Sequence, residues 1–130
     1  VYAEQYILAI EVEAKLVISM AKTIIYPAAV RYLSELSTAI ANAKAIGIEM
    51  DHETALKVSS LTQSLLDGVS KLTSAMTKHD FASVEEHMQY SSQTLRPLMD
   101  KVREYADGLE GEVADDFWPL PTYQEMLFVK

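Results

Sequence analysis

Cysteine is absent from this chain of 130 residues, which excludes disulfide staples, thiolate metal sites and thiol nucleophiles together. Stability must come from a buried core, and a chain of this length is large enough to hold one. Glycine is scarce, at 4 residues, and no glycine-rich phosphate loop occurs. Bases are outnumbered, with 11 Lys and Arg against 19 Asp and Glu, giving a formal net charge of −8. No segment concentrates Lys and Arg enough to reverse that sign, so nucleic acid is not an expected partner. Apolar runs such as Ile24 to Val30 fall far short of the roughly 20 residues a membrane span needs, and no signal peptide is visible. Cytoplasmic residence is the expectation.

Helix formers fill the space those absences leave. Ala, Leu, Glu, Lys and Met are plentiful, and no stretch alternates with period two for long. A first helical pattern runs from about Tyr2 to Ala45. Its inward row is Ile10, Ala14, Val17, Ala21, Ile24, Ala28, Tyr32, Leu36, Ala39 and Ala43, and Gly47 supplies a stop. Asp51 is a plausible N-cap for a second helix to about Lys78, striped by Val58, Leu61, Leu65, Val69, Leu72 and Met76. Gly68 lies beside that stripe, where a missing side chain permits close helix approach. Ser83 and Glu86 form a capping box for a third helix with Val84, Met88, Ser91, Leu95, Leu98, Val102, Tyr105 and Leu109 inward, and Asp80 is a competing cap. Three stripes joined by short loops predict an all-α, antiparallel bundle of about three long helices.

Within TIIYPAAVRY, Pro27 falls near the middle of the first pattern, and Pro97 interrupts the third. A proline in a helix interior costs about 3 kcal/mol, so bundle packing must offset it. Two readings stand: one continuous helix kinked near Pro27, or two helices with Pro27 opening the second. The chain divides into a bundle, 1–110, and an acidic linker with an aromatic tail, 111–130. Pro119 and Pro121 favour extended geometry before Tyr123. Trp118, Pro119, Leu120, Tyr123, Met126, Leu127 and Phe128 carry more apolar surface than a solvated tail needs, so they read as a docking segment. The first helix starts at Val1 and Tyr2 with no capping residue ahead of it, so a longer polypeptide with an upstream part is expected.

Little in the chain suggests chemistry of its own. His52, His79 and His87 each lack a second ligand at helical metal-site spacing, so capping and surface roles are favoured. The pair His79-Asp80 lacks the residues that follow the histidine of a phosphotransfer bundle. Acid pairs such as Glu11 with Glu13 fall on polar faces, where solvation accounts for them. The hydroxyls of helix two have no base at a helical spacing. No catalytic, metal or cofactor-binding residue is therefore assigned.

Two stretches, TIIYPAAVRY with its flanking EAKLVISMAK and the ending LRPLMDKVREYADGLEGEVADDFWPLPTYQEMLFVK, together resemble the C-terminal helical region of type III glutamine synthetases. Ile25, Pro27, Ala28, Arg31 and Tyr32 match one motif; Trp118, Pro119, Leu120, Tyr123, Glu125, Leu127 and Phe128 match the other. Gln124 stands where the family usually has arginine. The middle helix carries little of the likeness. The resemblance implies an ATP-dependent ligase joining ammonia to glutamate, with magnesium or manganese, in a cytoplasmic homo-oligomer. Its ligand residues would lie upstream, and this region would be a structural and interaction domain contacting its own catalytic domain and neighbouring subunits. Pro27, Arg31 and Tyr32 would form the contact point on the first helix. The alternative is a free-standing bundle that senses a small ligand or adapts a partner.

Overall fold

The computed structural model describes residues 1–114 and Phe117. Its order is α1 (Tyr2–Met20), a π turn (Ala21–Ile25), α2 (Tyr26–Ala45), α3 (Glu53–Ala75), α4 (Val84–Tyr90), a second π turn (Ser91–Leu95) and α5 (Arg96–Glu112). No loop separates α1 from α2 or α4 from α5, so the described chain makes three rods, as the stripes predicted. At 1.5 Å per residue the rods are about 66, 35 and 43 Å long.

Local chemistry fixes the two turns between the rods. Gly47, at φ 84°, closes α2 with paired bonds: the Ile48 N–H reaches the Ala43 carbonyl at 2.8 Å and the Gly47 N–H reaches Lys44 at 3.0 Å. The N-cap position of α3 is His52 rather than the expected Asp51, whose carboxylate, one residue further out, accepts the Glu53 N–H at 2.9 Å in a local turn leading into the helix. At α4 the Ser83 hydroxyl accepts the Glu86 N–H at 3.1 Å, and the Glu86 carboxylate accepts the Ala82 N–H at 2.9 Å. The capping box is thus formed, with its carboxylate reaching one residue further back than the usual partner.

Both prolines occupy the same local setting. A five-residue π turn ends immediately before Tyr26-Pro27 and before Arg96-Pro97, and each proline is in the first turn of the α-helix that follows. The Tyr26 N–H bonds the Ala21 carbonyl and the Arg96 N–H bonds Ser91, five residues back rather than four. Widening the turn by one residue moves the carbonyl that a proline ring would strike, so the backbone relieves a strain that packing alone was expected to offset. Each of the two readings of Pro27 holds in part: the rod is unbroken, and the proline opens its second half.

The extra residue also shifts the inward row. Ile10, Ala14 and Ala21 are buried as expected, but within the π turn Ile25 replaces Ile24, and beyond it Ala29 joins Ala28 and Ala39 is exposed. In the third rod Met99 enters the core where Leu98 was expected, and Leu98 is only partly buried. The second stripe, in a rod without a π turn, holds through its middle, although Leu61 and Met76, expected inward, are only partly buried. Val58, Leu65, Val69 and Leu72 are buried, and Thr62 joins them by donating its hydroxyl to the Val58 carbonyl at 2.6 Å.

The closest pairing is α3 against α5, running antiparallel. A Cβ at Gly68 would lie 3.2 Å from Val102 Cγ2, and one at Gly108 would lie 3.0 Å from Leu61 Cδ2, so both glycines sit where the helices nearly touch. Close approach explains why α5 continues through Gly108 to Glu112, with Leu109 and Val113 buried. The halves of the first rod serve different neighbours: α2 lies on α3, while α1 lies on α4, the second π turn and α5.

Candidate interaction surfaces

Among the described residues no group of three His, Asp or Glu side chains could hold a metal ion, and no helix is long and apolar enough to cross a membrane. The histidines are accounted for locally. His52 is the residue before α3, and His79 lies in the α3–α4 connection. His87 stacks flat on Phe81, with ring centroids 4.0 Å apart, and its Nε2 is 3.3 Å from the Glu11 carboxylate. Phe81 also meets Tyr90 at 5.3 Å, and the Tyr90 hydroxyl donates to the Ala75 carbonyl at 2.7 Å. This small cluster ties the α3–α4 connection to the body of the bundle.

Glu11 and Glu13, read from sequence as solvated acids, instead reach across to the third rod. Arg103 donates to the Glu13 carboxylate at 2.8 Å, and both side chains are about half exposed, so the pair adds at most about 1 kcal/mol. Periodicity could not reveal it, because the partners are far apart in sequence.

The contact point expected on the first helix lies at the start of α2. Pro27 is partly buried, Arg31 is exposed with a long 3.5 Å contact from its Nε to the Pro27 carbonyl, and Tyr32 is partly buried. The Tyr32 ring meets Phe117, with centroids 5.6 Å apart and planes at 57°, a tilted geometry suited to aromatic quadrupoles. Arg31 and Phe117 line one open groove with Ser34, Glu35, Thr38 and Asn42. The sequence reading passed over Phe117 in favour of its neighbour. Trp118, Pro119, Leu120, Tyr123, Met126, Leu127 and Phe128 lie outside the described residues.

Two further surfaces were missed. Leu8, Val12 and Leu16 form an exposed stripe along α1, opposite its buried Ile10 and Ala14. At the first π turn a half-enclosed, mainly apolar groove runs between Leu16, Met20 and Ile25 on one side and Val102 and Ala106 on the other, with the Glu13–Arg103 pair and Asp107 beside it. The stripe was legible as an i, i+4, i+8 series; attention to a single inward row hid it.

Comparison with known proteins finds glutamine synthetases. Residues 1–44, which are α1, the π turn and nearly all of α2, match the family model described as glutamine synthetase C-terminal domain. A glutamine synthetase of Bacteroides fragilis (strain YCH46) is 29% identical over 140 residues, covering 98% of this chain. Along nearly its whole length, this chain is similar to a glutamine synthetase. A type-3 glutamine synthetase of Dictyostelium discoideum is 41% identical over 51 residues, which cover 39% of this chain and 7% of that protein. The match spans only 19% of the length of the Bacteroides glutamine synthetase, so four fifths of that protein has no counterpart here.

Proposed function

We propose that this chain is the C-terminal structural and interaction domain of a type III glutamine synthetase, taking no part in the chemistry itself. The parent polypeptide would join ammonia to glutamate at the expense of ATP, in the cytoplasm and as a homo-oligomer. The observation that carries the reading is the alignment with the Bacteroides glutamine synthetase, which runs through 98% of this chain yet accounts for only 19% of that protein. The Dictyostelium relative's name supports type III. ATP and magnesium or manganese would be held by the upstream catalytic part, and no residue of this chain is assigned to them. The pairing of Phe117 with Tyr32, beside Arg31, supports a returning tail whose following residues, from Trp118 to Phe128, dock within the subunit or on a neighbour.

Two measurements test this. The full-length polypeptide should form glutamine with ATP and the isolated chain should form none; turnover by the isolated chain would overturn the division of labour. Removing residues 117–130 from the full-length polypeptide should weaken its assembly or lower its melting midpoint, and unchanged assembly and midpoint would refute a docking tail.

A further inference from the structure

A helix that is apolar on one side lies on a surface; a helix that is apolar on opposite sides is normally enclosed. α1 belongs to the second kind. Its inner side buries Ile7, Ile10 and Ala14, while Leu8, Val12 and Leu16 on the other side remain 62%, 58% and 57% exposed. These three, with Gln5 and Ala9, border one shallow groove, and Leu16 and Glu13 carry its edge into the groove at the first π turn. The result is a single apolar track rather than scattered side chains, the pattern that marks an interface. α3 does not reach this end: its last residue, Ala75, is level with Tyr90, so the N-terminal half of α1 rests mainly on α4.

We infer that the Leu8–Val12–Leu16 face of α1 is the seat of the catalytic part of the longer polypeptide, an inference that rests on the proposed function. The occupant is chosen by length and position. The family match is to a C-terminal domain and covers the residues of α1, and the Bacteroides relative has four fifths of its length outside the aligned region. In a protein of that plan the missing bulk joins the bundle at the α1 end, where the uncovered track lies. The fitting surface is apolar at its centre. Lys15, exposed at the flank and in no ion pair among the described residues, selects a carboxylate at its edge.

The experiment compares Val12→Glu with Ile46→Glu, which alters an exposed apolar residue at the opposite end of the rod. In the isolated chain both variants should keep the helical circular dichroism and shift the melting midpoint by less than about 2 °C, showing that neither damages the bundle. In the full-length polypeptide only Val12→Glu should lower the midpoint or split the unfolding into two transitions. Equal tolerance of both variants there would overturn the inference, and glutamine formation by the same preparation would show that the proposed function survives it. A full-length polypeptide without that activity would instead remove the proposed function. An isolated chain that sediments as a dimer and is dissociated by Val12→Glu, with the full-length polypeptide unaffected, would assign the face to a second copy and overturn the inference.

Discussion

The first and third rods are built on one plan and finished differently. Each is an α-helix, a five-residue π turn and a second α-helix with proline in its first turn. The third rod is complete within the chain: it starts on a side-chain cap, buries Leu95, Met99, Val102 and Leu109 along one side, and turns mainly polar residues outward. The first rod has no side-chain cap, and α1 exposes Leu8, Val12 and Leu16 opposite its buried row. One plan therefore yields a closed element and an open one, and the difference lies in what the outward positions carry.

That comparison can be broken or sharpened by substitution in the isolated chain. The largest effect is expected on the closed side. Leu109→Ala should cost about 2–5 kcal/mol in chemical denaturation, since Leu109 is fully buried where α5 meets α3; a cost below about 1 kcal/mol would mean that α5 is not the sealed helix described. Ser83→Ala should cost about 1 kcal/mol by removing the cap that the first rod lacks. The shared device comes next. If the π turns already relieve the prolines, Pro27→Ala and Pro97→Ala should each change stability by less than about 1 kcal/mol, whereas a gain near 3 kcal/mol would show that the prolines are strained. Leu16→Gln should stay within about 0.5 kcal/mol, as expected of a face that no other described residue covers.

The sequence was most informative where chemistry is local. The Asp51 turn ahead of α3, the cap at Ser83, the stop at Gly47 and most of the row through α3 follow from neighbours within a few positions, and Gly68 was legible from its place beside that row, although the side chain it makes room for, Val102, is distant in sequence. The rows of the other two rods drifted because periodicity assumes a constant 3.6 residues per turn, and a π turn inserts a residue without an obvious compositional signal. Pro27 marked the place but not the remedy. Contacts across the bundle were illegible for another reason: Glu11 with His87, Glu13 with Arg103 and Tyr32 with Phe117 depend on how the rods are brought together.

One consequence of the two π turns concerns stiffness. A wide turn followed by a residue without an N–H leaves the backbone ladder thin, so each rod has a natural joint in mid-length. The joints are staggered. The first borders Val102 and Ala106, which lie well inside α5, while the second lies against α1, ahead of the first joint. A bend at either place is splinted by intact helix alongside, so the bundle keeps two weak points in its backbone without gaining a hinge.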